Sequence, residues 1–193
     1  MKIKNICVNC GSNTGTRPEY LKAAVDLGRY MAENHIGLVY GGAGVGLMGA
    51  VASSAMEKGG NVIGVIPESF ADRVGHENLT ELHIVSTMHE RKTLMFDLSD
   101  GFIALPGGMG TIEEVFEILT WAQLGFHTKP CGLLNICGYY DNILAFLDNA
   151  VEQQFVRQEH KDMLLVDVDP ESLINRFKSY DVIPVEKWIK KTV

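Results

Sequence analysis

Two short stretches hold residue types that can do chemistry. In the first, Gly107, Gly108 and Gly110 fall between Pro106 and the run Thr111-Ile112-Glu113-Glu114, with Met109 inside the turn. Glycine has no Cβ, so an anion can come close to main-chain N–H groups there. A helix that starts at such a turn adds unpaired N–H groups and the positive end of its dipole, the ordinary make-up of a phosphate seat. Glu114 then puts a carboxylate just inside that helix. The same residues have a second reading: Thr111-x-x-Glu114 fits a capping box, in which Glu114 only closes the helix start. The second stretch is the cation pair Arg91-Lys92. Alone it reads as a solvated helix face. Ahead of a glycine turn it reads as a set of ligands for an anion, and the two stretches together favour chemistry over capping.

The elements that must position these residues follow from apolar periodicity. Residues 102–105 form an apolar run that reads as a buried strand, ended by Pro106, which has no N–H for a ladder. After Thr111, Val115, Ile118 and Leu119 recur on one side of a helix. Thr87-Met88-His89-Glu90 is a capping box, opening a helix with Met88, Arg91, Lys92, Met95 and Phe96.

Upstream, strand 3–8 leaves through Cys10-Gly11-Ser12-Asn13. Thr16-Arg17-Pro18-Glu19 then combines a cap, an early proline and a capping-box glutamate. Strand 36–40 runs into Gly41-Gly-Ala-Gly-Val-Gly-Leu-Met-Gly49, which contains G-x-G-x-x-G at Gly44, Gly46 and Gly49. A dinucleotide site also wants an acid about 20 residues on. Only Glu68, after strand 62–66, is available, so this loop reads as nucleotide-handling without being clearly NAD-binding. Residues 67–79 read as an irregular segment holding Arg73, His76 and Glu77.

Farther on, the pattern predicts an extended piece over 82–85, strand 131–136, a helix over 142–154 and strand 163–166. A last helix starts at Asp169-Pro170-Glu171 and fades near Lys178. The tail, with Trp188, Lys187, Lys190 and Lys191, reads as a solvated end. Strands alternating with helices predict a Rossmann-like three-layer α/β/α fold with a mainly parallel sheet. Ligands would sit beyond the carboxyl ends of the strands, where both glycine loops lie. With no internal repeat and no low-complexity linker, 1–193 is expected to be one nucleotide-binding domain.

The bulk numbers restrict the function classes. The chain has 193 residues, 46% of them hydrophobic and 21% charged, and 24 acidic against 17 basic side chains give −7. An acidic chain with no basic run is a poor partner for nucleic acid or an anionic membrane. No apolar stretch is long enough to span a bilayer, and no cleavable leader is read at the start, so the cytoplasm is the expected compartment. Cys7-Val-Asn-Cys10 is formally C-x-x-C, but no second pair at zinc spacing accompanies it, and its thiols read as structural. His89, His127 and His160 lack ligand spacing, and neither a metal nor a cofactor is expected.

The glycine loop 41–49, Met88-His-Glu-Arg-Lys92 and Pro106-Gly-Gly-Met-Gly-Thr-Ile-Glu-Glu114, in that order, resemble the Lonely Guy family. These are the cytokinin riboside 5'-monophosphate phosphoribohydrolases, once labelled possible lysine decarboxylases. The resemblance spans roughly residues 3–180 and is specific where P-G-G-x-G-T-x-x-E follows an R-K pair. It implies hydrolysis of the N-glycosidic bond of AMP or an N6-modified AMP, giving free base and ribose 5-phosphate. It implies Arg91 and Glu114 as catalytic residues, and Lys92, Gly108, Met109, Gly110, Thr111, Ile112, Glu113 and Thr120 as substrate contacts. Met88, Gly44 and Ser12 are further candidates for the same role. It also implies a homodimer with active sites near the contact between copies. Some plant members place an acidic contact where this chain has Arg73 beside Asp72, a departure that bears on base preference.

Breaking a ribosyl C–N bond builds positive charge on the sugar, which a carboxylate at Glu114 would stabilise while orienting water. Two other functions remain open on the sequence. One is a nucleotide-binding module without turnover. The other is an amino-acid decarboxylase, which would need a pyridoxal-binding lysine in a matching site, and no such lysine is read from the sequence.

Overall fold

The computed structural model describes residues 2–76 and 78–181. Glu77 and the tail with Trp188, Lys187, Lys190 and Lys191 lie outside the described residues. Among those described, the elements run β1 (Asn5–Asn9), α1 (Pro18–Glu33), β2 (Gly37–Tyr40), α2 (Gly46–Glu57), β3 (Val62–Pro67), α3 (Glu68–Val74), β4 (Glu81–Val85) and α4 (Met88–Asp97). They continue with β5 (Gly101–Ala104), α5 (Met109–Gln123), β6 (Cys131–Leu134), a 3-10 turn (Ile136–Gly138), α6 (Asp141–Glu152), α7 (Gln158–Asp162), β7 (Leu164–Asp167) and α8 (Pro170–Lys178).

The seven strands pair in the order β4-β3-β2-β1-β5-β6-β7, and each pairing is parallel. Alternation within the strands sorts side chains to two faces. Ile6, Val8, Leu38, Tyr40 and Ile103 pack under α1, α2 and α8, through residues such as Leu27, Met31, Val51 and Phe177. Cys7, Val39, Val65, Phe102 and Leu133 pack under α4, α5 and α6, through Met95, Val115, Ile118 and Leu147. The result is the three-layer α/β/α arrangement expected from the sequence, with a sheet that is parallel throughout its described strands.

Several local expectations are corrected. Residues 68–74 are helical, not irregular. Helix α1 is capped by Arg17, with Pro18 in its first turn and no side-chain cap bond, so Thr16 and Glu19 do not form a capping box. The short polar helix α7 had no counterpart in the sequence pattern. The box at Thr87 is present in full: Thr87 Oγ1 accepts from Glu90 N at 3.1 Å, and Glu90 Oε2 accepts from Thr87 N at 3.3 Å.

Candidate active site

The strand order reverses between β1 and β5, the point at which open α/β sheets bind ligands. The exits of these two strands are tied together. Leu105 N donates to Asn9 O, and Gly11 N to Pro106 O, each at 3.0 Å. Beyond them α5 begins at Met109, with Gly108 as an extended N-cap and no side-chain cap bond. Its first-turn N–H groups have no acceptor within the helix, and the dipole makes that end favourable for negative charge. A Cβ added at Gly108 or at Gly110 would meet no atom within 4 Å. Nothing inside the protein therefore requires glycine at these two places, and the space before them opens into a cleft.

The start of α2 is built differently. Leu47 N donates to Gly11 O at 3.0 Å. Gly46 has φ +60°, and a Cβ on it would lie 2.2 Å from the Ser12 carbonyl carbon. That glycine lets two loops touch, and an N–H of the helix start is already taken by the protein.

The cleft has a volume of about 330 Å³ and is lined by Ser12, Met48, Met88, Arg91, Thr111 and Glu114 together with the glycine turn. Its charged centre is Arg91 against Glu114. The Thr87 box sets Arg91 in the first turn of α4. From there Nε donates to Val65 O of β3 at 3.1 Å, and Nη1 donates to Glu114 Oε1 at 2.7 Å. The guanidinium crosses Gly41, where a Cβ would lie 2.3 Å from Nη2. Only 11% of the Arg91 side chain and 15% of that of Glu114 are exposed.

Burial pushes the Glu114 carboxyl above its ordinary range, and Arg91 only partly offsets this. Glu114 is not a helix cap. Gly108 fills that position, and Thr111 sits in the first turn, buried, with its Oγ1 2.1 Å from where a Cβ of Gly107 would be.

The remaining sequence candidates fall into two groups. Ser12, Met88, Gly108, Met109, Gly110 and Thr111 surround the cleft together with Arg91 and Glu114. Lys92, Glu113, Ile112, Thr120 and Gly44 do not line it. Lys92 Nζ reaches Glu113 at 2.6 Å and Glu117 at 2.9 Å. Burial pulls its pKa down, but these two carboxylates outweigh that and leave it raised. Ile112 packs into the core beneath α5. Thr120 is exposed farther along α5, donating to Phe116 O at 2.7 Å. Gly44 is exposed beside His76. Arg73 and Asp72 border a separate hollow next to α3, with Asn78 and Leu79.

Asn9, Gly41 and Met48 line the cleft without having been singled out in the sequence. Asn9 had a visible signal, an amide ending an apolar strand. It is buried, and its Oδ1 accepts from the Cys7 thiol at 3.4 Å. Burial raises the pKa of Cys7, Cys10 and Cys131, which stay protonated structural thiols. His127 packs against Phe96, its Nε2 2.9 Å from Ile118 O. Among the described residues no group of three His, Cys, Asp or Glu is arranged to hold a metal.

Residues 48–177 match the family model described as "Possible lysine decarboxylase". The chain is 46% identical over 185 residues to the probable cytokinin riboside 5'-monophosphate phosphoribohydrolase LOGL9 of Oryza sativa subsp. japonica, covering 95% of this chain and 81% of that protein. It is 44% identical over 180 residues to LOG3 of Arabidopsis thaliana, a cytokinin riboside 5'-monophosphate phosphoribohydrolase, covering 93% and 84%. It is 47% identical over 178 residues to the enzyme of that name from Rhodococcoides fascians, covering 91% and 90%. Among solved structures, the molybdenum cofactor binding protein of Rippkaea orientalis superposes with a TM-score of 0.70 at 26% identity, covering 93% and 98%. The Moco carrier protein of Chlamydomonas reinhardtii does so at 0.68 and 23%, covering 92% and 97%, a likeness of fold.

Proposed function

The chain belongs to the Lonely Guy family of cytokinin riboside 5'-monophosphate phosphoribohydrolases, and on that premise we propose how its cleft does the chemistry. The reaction is hydrolysis of the N-glycosidic bond of adenosine 5'-monophosphate, N6-modified or plain, to free base and ribose 5-phosphate. The observation that carries the reading is a buried Arg91–Glu114 pair, 2.7 Å apart, facing the same cleft as the open amides of α5.

The phosphate rests on the N–H groups of Gly108 to Thr111, and the ribose extends toward Glu114. As the C1'–N bond breaks, its electron pair leaves with the base and positive charge grows on the sugar. Ionised Glu114 stabilises that charge and takes a proton from the attacking water. The hydroxyl ends on C1' and the proton passes to the departing base. Arg91, tied to Val65 O, holds the Glu114 carboxylate in place. Anchoring the unreactive phosphate orients the reacting centre.

Ser12, Met88, Met109 and Thr111 contact the nucleotide in this reading. Lys92 acts indirectly, by fixing Glu113 and Glu117 of α5 beside Glu114. Thr120, Ile112 and Gly44 reach substrate only if a second copy or a bound ligand extends the site, and a homodimer belongs to the same proposal. So does the assignment of 1–193 to one nucleotide-binding unit acting in the cytoplasm. No helix among the described residues is long and apolar enough to cross a membrane.

The competing reading is an AMP-like sensor without turnover. Incubating the pure protein with AMP and isopentenyl-AMP separates the two. Release of ribose 5-phosphate supports hydrolysis, and tight binding with no product supports the sensor.

A further inference from the structure

The amide seat is only as good as the direction in which its N–H groups point, and three contacts decide that direction. Three consecutive carbonyls at the turn, those of Leu105, Pro106 and Gly107, each accept a hydrogen bond from outside it. Leu105 O accepts from Tyr140 Oη at 2.6 Å, Pro106 O from Gly11 N at 3.0 Å, and Gly107 O from Tyr139 Oη at 2.6 Å. The last matters most. A trans peptide is planar, with its C=O and the following N–H on opposite sides, and the described residues include no cis peptide bond. Turning Gly107 O toward Tyr139 therefore turns the Gly108 N–H the other way. Tyr139 borders a hollow with Tyr20, Leu47 and Gly107 that meets the cleft at Gly11, Ser12 and Gly108 but is lined by neither Arg91 nor Glu114. Gly108 also borders the cleft that holds that ion pair.

We propose that Tyr139 is a positioning residue for the reaction: its hydroxyl pins the Gly107 carbonyl and so aims the Gly108 N–H into the cleft at the substrate phosphate. The exit of β6 is built to deliver it. Cys137 and Gly138 have φ of +52° and +70°, a reversal that brings two consecutive tyrosines back to the turn. Tyr140 N donates to Asn135 Oδ1 at 2.7 Å, and Asn135 Nδ2 donates to Asp141 Oδ1 at 2.7 Å, fixing the reversal. The Tyr139 ring is held edge-on to Tyr20 at 5.5 Å and to Tyr140 at 5.0 Å. With the ring locked on both sides, removing the hydroxyl frees the Gly107 peptide and leaves the packing in place. No substrate atom need touch Tyr139.

The inference rests on the turn being the phosphate seat, and the test keeps the two apart. Affinity for ribose 5-phosphate and AMP, KM, kcat and Tm are measured for the natural protein, Tyr139→Phe and Gly110→Val. Tyr139→Phe should weaken both ligands and raise KM by about tenfold, the loss of one charge-assisted N–H contact. Its kcat should stay within about twofold, as expected when binding common to ground and transition states is lost, and Tm should hold because the ring is kept. Unchanged affinity and KM, or a fall in kcat and Tm with KM unmoved, overturns the positioning role. If Gly110→Val leaves ribose 5-phosphate affinity intact, the phosphate seat itself is misplaced and the inference falls with it.

Discussion

At the scale of single residues, Glu114 shows what local pattern can and cannot settle. Thr87-x-x-Glu90 and Thr111-x-x-Glu114 satisfy the same capping rule, yet only the first is a cap. The difference lies outside the four residues. Gly108 ends the helix first, and Arg91 takes the carboxylate that capping would have used. Glu114→Gln should keep nucleotide binding and lower kcat by about 10²- to 10⁴-fold, the usual worth of such a group. Steady-state kinetics beside ligand titration checks this, and an unchanged kcat would remove Glu114 from its role.

The direction of its pKa adds a second handle. A carboxyl raised in the folded state contributes stability that is whole below about pH 4.3, its ordinary value, and is lost as pH rises through the folded value. The natural protein should therefore lose stability relative to Glu114→Gln between pH 4 and neutrality, in paired denaturant titrations. The acid limb of kcat/KM should lie above the ordinary carboxylate range, since ionised Glu114 does the work. Gly110 makes the complementary case. With open space where its Cβ would be, Gly110→Ala should raise stability by up to about 1 kcal/mol while weakening phosphate affinity. A glycine kept for the fold alone would show neither.

At the scale of elements, the described strands were located to within two or three residues: the inner ones, buried on both faces, read as continuous apolar stretches, while the edge strand β4 is largely exposed and read only as an extended piece. The elements left out were short and polar. Helix α3 follows Pro67 with Phe70 exposed, and α7 buries none of its residues, so neither carries an apolar stripe. Packing between helices was equally hidden. Gly28 reads as one more small residue on the stripe of α1, but a Cβ there would lie 2.2 Å from Ser54 Oγ and from Val51 O of α2. Gly28→Ala should therefore destabilise despite alanine's better helix propensity. Overpacking costs about 1–3 kcal/mol against a gain of at most about 1, lowering Tm by a few degrees. A raised Tm would mean that α1 and α2 do not meet as closely as described.

At the scale of the whole molecule, strand order was beyond the sequence. Periodicity names strands but not neighbours, and only the order β2-β1-β5-β6 puts Asn9, Arg91 and the glycine turn around one cleft. It also separates two adjacent cations: Arg91 turns inward to Glu114 while Lys92 turns to Glu113 and Glu117. Arg91 spans the reversal, from Val65 O on one half of the sheet to α5 on the other. A lysine keeps the charge but lacks the planar fork that makes both contacts. Arg91→Lys should reduce kcat/KM by about 10²-fold through misplacement of Glu114, with a smaller loss in Tm.

The crystal structure of the Glu114→Gln protein with bound AMP tests the central claim most directly. The phosphate should lie on the Gly108 to Thr111 amides, with C1' facing the residue 114 side chain. A nucleotide seated on the other glycine loop, or turned so that its sugar points away from residue 114, would contradict it.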